Sequence, residues 1–151
     1  RERGVPTIVD SRYGVRSFSG VDYVKQNDAE LAAAFERHFD TKDALEEAAR
    51  ELIAELGAKG ALITRGEKGM MLFLANGARH EIPVSDKSEV YDVSGAGDTC
   101  VAAFILALAG GVLPLAAAQL SNIASGIAVR KFGTATVSAA ELTRKVRELS
   151  V

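Results

Sequence analysis

One cysteine, Cys100, no tryptophan and only three prolines occur in a chain of 151 residues. A lone cysteine cannot close an intrachain disulfide or supply a clustered-cysteine metal site, and it suits a reducing, cytoplasmic setting. No long apolar run is present. The longest, Cys100 to Ala109, falls well short of the about 20 residues that a membrane-spanning helix needs. Excess basic charge is missing too, with 18 Lys and Arg against 20 Asp and Glu and a net charge of -2. That balance argues against nucleic acid or an anionic membrane as a partner. Repeats, low-complexity tracts and Pro/Gly/Ser linkers are also lacking. What remains is 48% hydrophobic and 25% charged, the composition of one globular domain with a core of its own.

The chain opens on Arg1 and reaches an apolar strand almost at once, so it is expected to be the later part of a longer protein. Pro6 to Val9 reads as a buried parallel strand, Asp10 to Gly20 as loop, and Val21 to Lys25 as a second, weaker strand. A helix is expected from Asn27-Asp28 to about His38, with Leu31, Ala34, Phe35 and His38 on one stripe. Another should run from Thr41 to about Leu56 and end at Gly57, its apolar face formed by Leu45, Ala48, Ala49, Leu52, Ile53 and Leu56. Ala61 to Thr64 is the next strand; Met71 to Leu74 and Arg79 to Pro83 form a hairpin about Asn76-Gly77. After a polar connection come a strand at Val90 to Val93 and helices at Gly97 to Ala109, Pro114 to about Lys131 and Ser138 to about Leu149. Strands alternating with helices predict an open α/β sheet, mostly parallel, with one antiparallel hairpin.

The sharpest feature is Asp92-Val93-Ser94-Gly95-Ala96-Gly97-Asp98-Thr99, between an expected strand and a strongly apolar helix. Gly95 and Gly97 allow a tight turn and close approach of a ligand. Unpaired amides at a helix start, with the positive end of its dipole, make an anion site. Asp98 in that first turn would set a negative charge beside the bound anion, which phosphoryl transfer to an alcohol requires. There the amides hold the transferring group while the carboxylate accepts the hydroxyl proton. Such an Asp is too weak a base to ionise an alcohol in advance, so the proton leaves as the oxygen–phosphorus bond forms. The alternative is a plain strand-to-helix turn with an Asp near its cap, and spacing alone does not choose between the two. A dinucleotide fingerprint would need glycine where Cys100 stands, and no P-loop pattern occurs.

Gly95-Ala96-Gly97-Asp98 resembles the C-terminal signature of the PfkB, or ribokinase-like, carbohydrate kinases. Further stretches fit that family in the same order: Asn27-Asp28-Ala29-Glu30, Thr64-Arg65-Gly66-Glu67-Lys68-Gly69, Ser121-Asn122-Ile123-Ala124 and Lys131-Phe132-Gly133-Thr134. The match covers Pro6 to about Leu142, and its wording is most similar to the heptose-7-phosphate kinase branch. The resemblance implies a three-layer α/β/α open sheet and a chain (residues 1–151) that is the C-terminal part of a single kinase domain. It implies that Asp98 is the general base and that Gly95, Ala96 and Gly97 form the anion hole. It places Asn27 and Glu30 at the phosphate end of ATP, Glu30 facing Mg2+ through water. Thr64, Gly66 and Gly69 lie along the nucleotide, and Asn122 and Gly133 border the adenine. Asp92 and Ser94 match positions beside a monovalent cation such as K+, mostly through carbonyls.

Local readings of the same residues stay open. Asn27 with Glu30 is also a helix capping box, Gly66 and Gly69 also serve a simple turn, and Asn122 also fits a buried polar residue bonded to backbone. His38 and His80 match no partner spacing, Cys100 reads as a small core residue, and Glu46, Glu47, Arg50 and Glu51 as a solvated helix face. A complete kinase of this kind is about twice as long. Its earlier half, with a Gly-Gly sugar motif and a β lid where many members dimerise, is absent here. The expected function is ATP-dependent phosphorylation of a sugar or sugar-phosphate hydroxyl, of the heptose-7-phosphate type and linked to lipopolysaccharide synthesis. The alternatives are another acceptor (ribose, fructose phosphate, a nucleoside or a similar alcohol) and a non-catalytic nucleotide-binding or assembly module.

Overall fold

A computed structural model describes residues 4–85 and 90–149. The chain divides into two compact units, Arg1–Glu81 and Ile82–Val151. In the first, β1 (Ile8–Asp10), β2 (Tyr23–Asn27), β3 (Gly60–Thr64), β4 (Met70–Leu74) and β5 (Arg79–Ile82, its last residue in the second unit) line up in sequence order in one five-stranded sheet. β1, β2 and β3 pair in parallel, and β3 with β4 antiparallel. The β4–β5 turn is closed by the Gly77 amide on the Leu74 carbonyl at 3.0 Å and the Ala78 amide on Asn76 Oδ1 at 3.1 Å. The mixed α/β sheet and its hairpin are as expected.

Two helices cover one face of this sheet. α2 (Lys42–Leu56) begins where Thr41 Oγ1 accepts the Ala44 amide at 3.1 Å and ends where Gly57 turns left-handed at φ 62°. All six residues of its expected apolar face are buried, and they join Val24, Ala61, Ile63, Met71 and Phe73 in one core. α1 (Asp28–Phe35) adds Leu31 and Phe35 to that core. It stops three residues short of the expected His38, because Glu36 enters the left-handed region at φ 51° and the Arg37 amide folds back to the Ala32 carbonyl at 3.0 Å.

β2 differs most from expectation. It lies two residues later than read and is buried from Tyr23 to Gln26. Residues Val21-Asp22 instead form a tie to the start of β1, Asp22 Oδ2 accepting the Thr7 amide at 2.9 Å and Thr7 Oγ1 the Asp22 amide at 2.9 Å. Lys59 lies 2.9 Å from the Asp22 carboxylate and, as the main cause, holds its pKa below the usual range. Lys25 and Gln26 look wrong for an interior strand; each finds polar partners there, although Gln26 Oε1 is buried with no hydrogen bond among the described residues. Lys25 pairs with Asp10 at 3.0 Å, and Gln26 Nε2 donates to the Ser11 and Lys25 carbonyls at 3.0 and 2.7 Å.

The second unit holds α3 (Ala96–Ala109), α4 (Pro114–Ala128) and α5 (Ala139–Leu149). α3 and α4 pack through Cys100 and Phe104 against the small residues Ala117, Ala118, Ser121 and Ala124, all buried. The expected polar connection falls partly outside the described residues, at 86–89. Val90 to Val93 is not a strand. The Tyr91 and Asp92 amides both donate to the Val129 carbonyl, at 2.9 and 3.1 Å, so they are not available to a sheet ladder. Among the described residues, no helix is long and apolar enough to cross a membrane.

Candidate functional site

At the carboxyl ends of β2 and β3, Asn27 and Thr64 are paired in register. Ligands of open α/β sheets gather at such strand ends. Asn27 caps α1 in a closed box: its Oδ1 accepts the Glu30 amide at 2.7 Å, and Glu30 Oε2 accepts the Asn27 amide at 2.8 Å. The other Glu30 oxygen, Oε1, has Arg12 Nε at 4.0 Å. Lys25 Nζ lies 4.0 Å from Oε2, and the Glu30 side chain is 13% exposed. Capping box and chemical motif are therefore the same residues, as the sequence left open. Thr64 Oγ1 reaches the Gln26 carbonyl at 3.5 Å. The following turn closes on itself, with the Arg65 amide on the Gly69 carbonyl at 2.8 Å and the Gly69 amide on the Gly66 carbonyl at 3.0 Å.

In the second unit, Gly95 is the N-cap of α3, left-handed at φ 75°, and no side chain caps the helix. A Cβ there would sit 2.9 Å from Thr134 Cγ2, so the position excludes larger residues twice over, by conformation and by contact. Of the amides expected to face an anion, that of Ala96 is diverted: it donates to the Val93 carbonyl at 3.2 Å. The amides of Gly95, Gly97 and Asp98 have no acceptor among the described residues. The anion hole read as Gly95, Ala96 and Gly97 therefore has its open donors at Gly95, Gly97 and Asp98. The Asp98 side chain is exposed in the first turn.

The turn is held from behind. Asp92 Oδ1 accepts the Ser94 amide at 2.8 Å, and Oδ2 accepts the Gly133 amide at 3.1 Å. The Ser94 amide and then its hydroxyl are the chief causes that keep the Asp92 carboxyl below its ordinary pKa. Tyr91 and Phe132 stack with centroids 5.2 Å apart, fastening the same two loops. Each Asp92 oxygen thus accepts one amide, and the main-chain carbonyls of Asp92 and Ser94 stay the expected route to a cation. Asn122 is buried, its Nδ2 donating to the Pro83 carbonyl at 2.7 Å. Its amide group therefore closes a main-chain acceptor, the local role that the sequence left open beside a place bordering the adenine. Gly133 serves as the donor to Asp92. Sequence reading missed Lys25, the Val129 carbonyl and the contact of Thr134 with Gly95, whose partners are set by distant chain segments.

The donor chemistry can be matched to the expected groups. Open amides at an uncapped helix start fit an anion such as a phosphate. A carboxylate oxygen free of hydrogen bonds, as at Glu30, fits a hydrated hard cation such as Mg2+. Among the described residues no cluster of three or more metal-binding side chains occurs.

Comparison with known proteins gives the family and the fold. The family described as pfkB family carbohydrate kinase matches residues 2–141. The bifunctional protein HldE of Coxiella burnetii is 40% identical over 99% of this chain, which covers 31% of that protein. The HldE of Mesorhizobium japonicum is 42% identical over 95% of the chain, covering 29% of it. The chain thus spans about a third of the length of these relatives. Among solved structures, Arabidopsis thaliana ribokinase complexed with ribose and ATP is 23% identical with a TM-score of 0.85, covering 97% of this chain and 49% of its own. Escherichia coli phosphofructokinase-2 in complex with potassium is 23% identical with a TM-score of 0.84, over 99% of this chain and 49% of its own. These structures share the ribokinase-like fold that the motifs led us to expect.

Proposed function

The chain belongs to the pfkB family of carbohydrate kinases, and from that premise we propose that it carries the nucleotide-binding and proton-accepting part of an ATP-dependent sugar kinase. The observation that carries the reading is the start of α3, where a left-handed Gly95, open amides and Asp98 share one turn. In this reading the amides of Gly95, Gly97 and Asp98 hold the transferring phosphoryl group as charge builds on it. The Asp98 carboxylate takes the acceptor hydroxyl's proton as the new oxygen–phosphorus bond forms and the bond from the γ-phosphorus to the bridging oxygen breaks, releasing ADP. The Asp92 bridge to Ser94 and Gly133 keeps the turn in shape, so that little reorganisation is needed on binding. Glu30 faces the metal at the phosphate end of ATP, where Mg2+ would neutralise charge on the phosphates. Asn27 fixes that carboxylate, and Thr64, Gly66 and Gly69 line the nucleotide.

The acceptor proposed is a heptose 7-phosphate, supported by motif wording and by relatives named HldE at 40 to 42% identity. A monovalent ion, as in the potassium complex of phosphofructokinase-2, would be held here by carbonyls near Asp92 and Ser94. The deciding experiment is Asp98→Asn in the intact protein. Turnover should fall by about 10²- to 10⁴-fold or more while ATP affinity barely changes. Unaltered turnover would refute the assignment.

A further inference from the structure

We propose that Lys25 is a positioning residue for Glu30, balancing two carboxylates so that Glu30 keeps one oxygen for the metal–nucleotide complex. This rests on the reading that Glu30 serves that complex. Lys25 and Asp10 stand opposite each other in the β1–β2 register, with Nζ 3.0 Å from Asp10 Oδ2. The same Nζ lies 4.0 Å from Glu30 Oε2, and the Lys25 side chain is only 6% exposed. An ammonium this deep in an interior strand is costly to bury, and the neighbouring β3 residue in register, Leu62, shows what the core otherwise prefers. Arg12 cannot replace it, because its side chain is 73% exposed and its pairing with Glu30 is open to solvent.

The arrangement divides Glu30 into two ends. Oε2 is held by the Asn27 amide and faces Lys25, while Oε1 makes no hydrogen bond among the described residues. Without the ammonium, Asp10 and Glu30 would lose the buried cation they share, and two like charges would face the gap it leaves. Glu30 would then be pushed off its capping position. The alkyl stem of Lys25 is not what matters in this account; its charge is.

The test measures ADP affinity of the intact protein with and without Mg2+, taking the ratio as the metal-dependent gain. Glu30→Gln sets the scale and should reduce that gain by about tenfold or more. Lys25→Met, which keeps the stem, should reduce it comparably and leave metal-free affinity unchanged, whereas Lys25→Arg keeps most of it. Adding Asp10→Asn to Lys25→Met removes the like-charge conflict and should restore most of the gain. Should the single variant not fold, the double variant supplies the measurement, and a gain still at the Glu30→Gln level overturns the proposal. A wild-type gain in Lys25→Met, even with a lowered Tm, also overturns it by leaving Lys25 a packing role. If Glu30→Gln itself changes nothing, the metal role of Glu30 fails, and the inference built on it falls too.

Discussion

In the unit Arg1–Glu81 the motif residues commit their hydrogen bonds to one another, whereas at the start of α3 in the other unit the main-chain donors are left open. Asn27 and Glu30 cap each other at 2.7 and 2.8 Å, so a side chain is made rigid and one of its oxygens is kept in reserve. Around Gly95 no side chain closes the helix, and rigidity comes from behind, through Asp92, Gly133 and the Tyr91–Phe132 stack. The difference matches the chemistry proposed. Holding a hydrated cation asks for one well-placed carboxylate, while holding a charge that moves asks for dipoles already fixed in place.

The contrast can be broken most sharply at Gly95. Gly95→Ala forces a side chain into a left-handed position and against Thr134. It should cost about 1–3 kcal/mol in denaturant unfolding, together with a fall in turnover. A folded variant with normal turnover would show that the shape of this turn does not matter to function. Asn27→Ala comes next, with a loss of about 1 kcal/mol from the missing cap and a weaker effect of Mg2+ on ADP binding. If stability falls and the metal effect does not, the pair is a helix cap alone. Glu36→Gly relieves the left-handed residue that ends α1. It should stabilise by roughly 0.5–1 kcal/mol and leave catalysis untouched, as judged by the unfolding midpoint and kcat.

Sequence patterns exposed what is decided locally. The apolar stripe and Gly57 delimit α2 to within one residue of its observed start, where Thr41 proves to be the cap, because each acts within a turn of the helix. The Asn27–Glu30 box and the tight turn at Gly95 were equally readable, because each is closed within a few residues. Long-range partners were not. β2 looked weak because Lys25 and Gln26 find their partners on β1 and the loop after it, 15 residues away. Val90 to Val93 has the residues of a strand, yet its amides go to the carbonyl at Val129, and all but Asp92 are exposed. Asp92 meets Gly133 across 41 residues, and no local pattern announces that bridge.

The smallest effect sharpens the comparison within one unit, because α5 begins closed where α3 begins open. Ser138 Oγ accepts the Glu141 amide at 3.3 Å, and Glu141 Oε2 accepts the Ser138 amide at 2.8 Å. Lys131 Nζ, 2.6 Å from Glu141 Oε1, is the main reason that the Glu141 pKa drops from 4.5 to about 2, with the Ser138 amide and hydroxyl next. A folded-state value below the unfolded one contributes stability above about pH 4.5, lost as the pH falls toward about 2. Glu141 is partly solvated, so the contribution is small. The Tm difference between the wild type and Glu141→Gln should therefore be constant near neutrality and shrink to nothing across that acid window. A difference that persists unchanged to the acid end would mean that the amide of glutamine caps less well for reasons of shape, and that charge plays no part in closing α5.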